Sequence, residues 1–266
     1  MRKTTMRRTT WTVALAAIMA LAGAAGPVEA GHGYGGGAIA GSGCGRVMLD
    51  ALEAMPVEDL DDSEIASLVA MRQEEKLARD VYLTLQMQWG ARIFANIARA
   101  EQQHMDLVKW LLDRDGIADP ASDDTIGTYT DPAFEELYQQ LVAVGTQSYQ
   151  AALTVGATIE DLDLYDLEEA LKGAVDNADI RMVYQNLAKG SRNHLRAFYG
   201  QLQILGVEYT AQYLPEDEVL TIVGSDWERG VVLDENGEVL ATCGGGAWRS
   251  GVRNGQWSGT RWLPRW

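Results

Sequence analysis

The 266-residue chain carries 38 acidic against 22 basic side chains, a formal net charge of −16. Phosphate binding needs a basic face, so nucleic acid is excluded as a partner, whereas an acidic surface favours solubility and gathers cations. The two cysteines, Cys44 and Cys243, with no CxxC pair, exclude a tetra-cysteine iron or zinc site.

The chain opens with Arg2, Lys3, Arg7 and Arg8, followed by an apolar, small-residue run from Trp11 to Ala25. Val28-Glu29-Ala30 then fits a cleavage site before Gly31. Residues 1–30 therefore read as a signal peptide, and the mature protein as exported, periplasmic or extracellular. The apolar run is too short for a comfortable transmembrane span, so no stable span is expected after cleavage. A retained anchor and a twin-arginine signal are the alternatives, and Thr9-Thr10-Trp11 after Arg7-Arg8 fits the second poorly. Residues 31–46 are glycine-rich and read as a linker, with His32 solvated within it. In an oxidising compartment Cys44 and Cys243 either pair or remain two free thiols.

Residues 47–220 read as one helical domain in which the 3.6-residue period marks four long helices. The first is expected from near Ser63 to Gln88, with the stripe Leu68, Met71, Glu75, Ala78, Tyr82, Leu85, candidate caps Asp61 and Ser63, and Gly90 as its stop. The second is expected over Ile93 to Arg114, with Phe94, Ile97, Glu101, His104, Val108 and Leu111 on one stripe, and ends at Gly116. The short link makes these two antiparallel neighbours. Residues 115–145 are long enough for a crossover and hold a short helix, Phe134 to Val144, after Asp131-Pro132. The third long helix is expected over Thr146 to Asp161, with Tyr149, Leu153, Gly156 and Glu160 on its stripe; a separate short piece, Tyr165 to Leu171, follows. The fourth spans about Asp179 to Leu205, with Ile180, Tyr184, Leu187, Ser191, His194 and Phe198.

From 221 to 266 the character changes to a tail with five of the eight tryptophans (Trp227, Trp248, Trp257, Trp262, Trp266) and five arginines against five acids. Gly230 to Leu233, the turn residues Asp234-Glu235-Asn236-Gly237, and Glu238 to Leu240 make a β-hairpin signal. Exposed tryptophans stack on sugars, bind membranes or anchor partners; packing against the helices or lying unstructured are the plainer roles.

Glu101 and His104 lie at i and i+3, so they share a helix face, and that face is the apolar stripe. A carboxylate there is costly unless it is paired or binds a metal. Glu75, Glu160 and His194 repeat the pattern on the three other helices, and almost no lysine or arginine shares those faces. A cation is the partner that would supply the missing charge. Imidazole and carboxylate donors suit iron, manganese or zinc.

Glu75-Lys-Leu-Ala78-Arg-Asp-Val-Tyr82 followed by Ala100-Glu101-Gln-Gln-His104 resembles the first half of the ferritin-like di-iron proteins, rubrerythrin above all. Residues 64–208 also resemble an uncharacterised bacterial branch of that superfamily, a domain of unknown function, in Ala98-Arg-Ala-Glu-Gln-Gln-His104 and Gly190-Ser-Arg-Asn-His-Leu-Arg-Ala-Phe198. The resemblance covers a little over half of the chain and leaves out the tail. It implies an all-α, ferritin-like four-helix bundle with a long crossover between helices two and three, followed by the tail with its hairpin. It implies Glu75, Glu101, His104, Glu160 and His194 as ligands to one or two iron ions, with manganese or zinc as alternatives, and leaves the oligomeric state open, a dimer included. Such a pair of irons would couple Fe(II) oxidation to dioxygen or peroxide activation.

One position departs from the pattern: the fourth-helix motif should open with Glu, and this chain has Ser191. Asp163, three residues after Glu160, takes its place if the third helix continues that far; otherwise the site holds one metal, or a pair with one weak position. Glu74 competes with Glu75, although its neighbours fit the motif less well. Tyr82 and Tyr184 read first as core aromatics and second as hydrogen-bond donors to ligands. Three functions follow: an exported metalloprotein with oxidase or peroxidase chemistry, a non-catalytic metal-binding protein using the same residues, or an interaction module with a degenerate site and a tryptophan-rich binding tail. Ser191 favours the last two and the five stripe ligands favour the first two.

Overall fold

The computed structural model describes residues 43–243. The export signal of residues 1–30, the linker up to residue 42 with His32, and the tail beyond Cys243 with Trp248, Trp257, Trp262 and Trp266 lie outside the described residues. The described chain is mainly helical: α1 (Gly43–Ala54), α2 (Asp62–Trp89), α3 (Arg92–Arg114), α4 (Pro132–Gly145), α5 (Tyr149–Glu169), α6 (Ala178–Ile204) and α7 (Glu216–Gly224) precede strands β1 (Val231–Leu233) and β2 (Val239–Thr242). None of these helices is long and apolar enough to cross a membrane.

Local chemistry sets the helix ends. The Asp61 side chain accepts from the N–H groups of Ser63 and Glu64, and the Glu64 carboxylate accepts from the Asp61 N–H, a capping box that starts α2. Gly90 stops it at φ 64°, a left-handed conformation that glycine adopts without strain. Only Gly90 and Ala91 separate α2 from α3, so the two turn back on each other. Asp131 caps α4, with Pro132 in its first turn.

The inner faces of α2, α3, α5 and α6 supply the core, with Leu68, Val81, Leu85, Val108, Leu111, Leu153, Tyr184 and Leu187 fully buried. Tyr82, Phe94 and Phe198 cluster there, their ring centroids 5.3–6.4 Å apart. The Phe198 ring packs on Gly156, where an added Cβ would come within 2.5 Å of it, so α5 and α6 approach closely at that glycine.

The outer face of α2 is charged yet buried. Arg72 pairs with Asp119 through Nε and Nη2 (2.9 and 3.0 Å), and Lys76 donates to Asp80 (2.7 Å) and to the Thr125 carbonyl (2.8 Å). Asp80 also accepts from Arg79, the Gly127 N–H and the Tyr129 hydroxyl. These bonds pin the long connection between α3 and α4 onto α2, alongside the buried Ala121, Ile126 and Tyr129.

Three features depart from the sequence reading. Gly43 to Arg46, within the glycine-rich arm, already belong to α1. The piece Tyr165 to Leu171 is not separate: α5 runs unbroken from Tyr149 to Glu169 and ends in a π-turn over Ala170–Ala174. Asp161 does not stop it, because its carboxylate faces sideways and accepts from the N–H groups of Gln212 and Leu214 and from the Tyr209 hydroxyl. Helix α7 runs across the boundary expected at residue 220.

The hairpin forms as expected, β1 and β2 being antiparallel with Val232 opposite Ala241 and an irregularity before Leu233. It docks on α6, where the Asn186 side-chain amide donates to the Leu233 carbonyl and accepts from the Leu233 N–H (2.8 and 3.0 Å). Cys44 and Cys243 form a disulfide across a sequence separation of 199, with their Cα atoms 5.0 Å apart.

Candidate metal centre

Glu75, Glu101, His104, Glu160 and His194 come together at the centre of the four long helices, all buried. Glu75 is the α2 residue that faces them; Glu74 instead lines a cavity beside α4 and α5. The five make two donor sets, Glu75–Glu101–His104 and Glu101–Glu160–His194, each with its donor atoms within 4.8 Å of one another. Glu101 belongs to both. Its Oε2 lies 2.8 Å from His104 Nδ1, and its Oε1 lies 2.8 Å from His194 Nδ1. The outer glutamates complete the sets, with Glu75 Oε2 3.2 Å from His104 Nδ1 and Glu160 Oε2 3.4 Å from His194 Nδ1. The two imidazoles stack, with centroids 5.6 Å apart and planes 29° from parallel.

These contacts do not satisfy the buried atoms. Glu75 Oε1, Glu101 Oε1 and His194 Nδ1 have no hydrogen-bond partner. Glu101 Oε1 and His194 Nδ1 lie 2.8 Å apart without making a hydrogen bond. Unpartnered buried donors and acceptors are costly and rare. The donor set, three carboxylates and two imidazoles, fits a divalent transition metal. Among the described residues no arginine or lysine pairs with these glutamates; the nearby buried bases Arg72, Lys76 and Arg79 are spent on Asp119, Asp80 and Asp124.

Without a cation, protons share out the charge. Burial pushes Glu75 up to about 7 against the pull of His104, and burial with the neighbouring Glu101 charge does the same to Glu160, also to about 7. Glu101 goes the other way: the two imidazoles outweigh its burial and hold its carboxyl well below the usual range. Burial opposes the imidazolium forms, yet Glu75 and Glu101 raise His104, and Glu101 and Glu160 raise His194 to about 10.

Neighbouring residues orient the donors. The Tyr82 hydroxyl donates to Glu160 Oε1 at 2.5 Å, so Tyr82 is both a core aromatic and a ligand-orienting donor. Tyr184 stays in the core and bonds Ser67 at 2.9 Å. Ser191 is fully buried, and its Oγ lies 2.5 Å from Asp163 Oδ2, a half-buried carboxylate that the extended α5 brings against α6. Gly190, beside Ser191 in the middle of α6, was the available signal of a close approach. A Cβ there would meet His104 Cε1 at 2.6 Å and Nε2 closer still. Gly190→Ala is therefore expected to push His104 off its position, costing about 1–3 kcal/mol of stability and weakening divalent-ion binding. Urea unfolding with Co(II) titration checks this, and an alanine variant that matches the parent in both contradicts it.

On its solvent side His194 borders a groove between α3 and α6, also lined by Asn96, Ile97, Asn193, Trp227 and Arg229 and by no carboxylate. Arg229 stacks over the half-exposed Trp227 ring at 4.4 Å.

Residues 64–226 match the model of a family described as an uncharacterised protein domain (DUF2202). The uncharacterised protein MJ0754 of Methanocaldococcus jannaschii is 50% identical over 184 residues, which span 69% of this chain and 99% of that protein. The relative is archaeal, so the likeness extends beyond the bacterial branch. The crystal structure of hypothetical protein MJ0754 from Methanococcus jannaschii DSM 2661 is similar in fold, with 51% identity and a TM-score of 0.64, over 66% of this chain and 99% of that one.

Proposed function

The chain belongs to the DUF2202 family, and from the site within that domain we propose that it is an exported, ferritin-like metal-binding protein that holds a pair of divalent transition-metal ions, iron before manganese or zinc. The reading rests on one observation: three buried donor atoms without hydrogen-bond partners sit inside two donor sets that share Glu101. The ferritin-like part is supported by four long helices, each contributing ligands from its inner face, and by the residues of the sequence resemblance. Export is supported by the basic, then apolar, then small-residue start and by the Cys44–Cys243 disulfide, a bond that persists in oxidising compartments.

Glu75 with His104 would hold one ion and Glu160 with His194 the other, with Glu101 shared. Iron bound there supplies redox chemistry toward dioxygen or peroxide, which makes an oxidase or peroxidase the enzymatic form of the reading. The residues around it have separate tasks. Tyr82 fixes Glu160, Gly190 lets α6 close on His104, and His194 borders the groove between α3 and α6. Non-catalytic metal holding uses the same residues, and turnover of Fe(II) with peroxide separates the two.

The test is the metal content of the protein purified without chelator, followed by anaerobic Mn(II) or Fe(II) titration. Two ions per chain are expected. No binding of either ion would overturn the reading. The protonation pattern adds a pH signature. Below neutrality Glu75 and Glu160 keep their protons, and His194 keeps its proton up to about pH 10, so each ion must displace protons to bind. Affinity should rise from pH 6 to pH 8, by up to about tenfold per unit for each proton released. Calorimetry in buffers of different ionisation enthalpy counts those protons, and a pH-independent affinity would contradict the assignment.

A further inference from the structure

The metal site just proposed holds a carboxylate that its two donor sets do not use. We propose that Asp163 is the second carboxylate shared by the two ions, carried on α5 and held in place by Ser191. The inference rests on the metal-binding reading above and concerns how this chain completes the site.

Four observations carry it. First, α5 continues without a break past Glu160, so Glu160 and Asp163 stand at i and i+3 on one face, Glu160 in a donor set and Asp163 half-buried beside it, where it also lines the cavity that holds Glu74. Second, Ser191 occupies the position on α6 that corresponds to Glu101 on α3, three residues before a site histidine in each case. Its hydroxyl is fully buried and 2.5 Å from Asp163 Oδ2. A serine there leaves the space that a longer acid would fill, and the neighbouring helix fills it with its own acid. Third, Asp163 stands electrostatically between the two donor sets: it feels the charges of Glu75, Glu101 and His104, and Glu160 and Tyr82 feel its own. Its Oδ2 is taken by Ser191.

The fourth is charge. Two divalent ions bring four positive charges, while Glu75, Glu101 and Glu160 bring three negative ones. With Asp163 the four negative charges match the four positive ones, which burial favours. Ser191 is then no decayed ligand but the anchor of a relocated one.

The experiment counts ions and does not depend on turnover. Co(II) is titrated anaerobically into the full chain, followed by its visible absorption and by calorimetry, in the parent, Asp163→Asn, Ser191→Ala and the double variant Asp163→Ala/Ser191→Glu. The parent should take up two Co(II). Asp163→Asn should keep one and bind the second at least about 100-fold more weakly, and Ser191→Ala should keep both with the second about tenfold weaker. The double variant returns the carboxylate to α6 and should regain the second ion; it also keeps the test alive if Asp163→Asn does not fold. A parent that binds two ions while Asp163→Asn binds two with unchanged affinity overturns this inference alone. A double variant that folds but binds only one also counts against it. A parent that binds no ion overturns the metal-binding reading itself and this inference with it.

Discussion

Glu101→Gln is expected to remove both metal ions in a single step, whereas Glu75→Gln or Glu160→Gln should each cost chiefly one. The reason is the position of Glu101 between the two histidines, with one oxygen 2.8 Å from each Nδ1. Glutamine keeps the shape of the side chain but loses the charge, and its amide nitrogen presents donors where a cation needs lone pairs. Removing one member of a buried charge cluster costs about 3–5 kcal/mol, and here the same member serves both sites. Each ion should therefore bind roughly 10²- to 10⁴-fold more weakly. Metal analysis and Co(II) titration measure this, with circular dichroism confirming that the helices persist. A Glu101→Gln protein that loses only one ion would show that the two donor sets do not share this carboxylate.

The largest effect on stability is expected away from the site. Asp80 is fully buried and receives Lys76 Nζ (2.7 Å), Arg79 Nη2 (2.7 Å), the Gly127 N–H (3.0 Å) and the Tyr129 hydroxyl (3.0 Å). Asp80→Ala leaves Lys76 buried without its counter-charge and removes the bonds from the Gly127 N–H and the Tyr129 hydroxyl that tie the α3–α4 connection to α2. The expected loss is about 3–5 kcal/mol, a large part of the stability of an ordinary domain. Lys76→Met should cost less, because Asp80 then keeps Arg79 and two neutral donors. Urea unfolding of the three proteins reads the order, and an Asp80→Ala midpoint within error of the parent would refute the clamp. At temperatures where Asp80→Ala remains folded it should still bind metal, which separates the clamp from the site.

What could be read from the residues, and what could not, follows the range of each interaction. Local chemistry marked most helix ends: Asp61 and Gly90 around α2, Asp131-Pro132 before α4. The five donors were legible because each sits on an apolar stripe, where a charge has no bland explanation. Helix α1 was hidden by Gly43 and Gly45, poor helix formers whose cost is met by burial of Met48 and Leu52. The continuation of α5 was hidden because Asp161 looks like a stop, and its partners lie some 50 residues on, at Gln212 and Leu214. The buried outer face of α2 was the hardest to foresee. Arg72, Lys76, Arg79 and Asp80 lie off the apolar stripe, and the returning connection with Asp119, Asp124 and Thr125 turns them into an interior. Asp163 was legible as a stand-in for the acid missing at Ser191, on the condition that the helix continues; the unbroken α5 meets that condition, and the bond from Ser191 is what the sequence did not show.

The Cys44–Cys243 bond gives the molecule an unusual mechanical layout. It closes the described body into one covalent ring, and both ends of the chain leave that ring at a single point, across a Cα–Cα distance of 5.0 Å. Tension applied between the two ends runs from Cys44 straight to Cys243 and bypasses every helix in between. The candidate metal centre is thus shielded from any pull on the arm or the tail while the bond holds. Once it is reduced, the same force peels away α1 and the hairpin first.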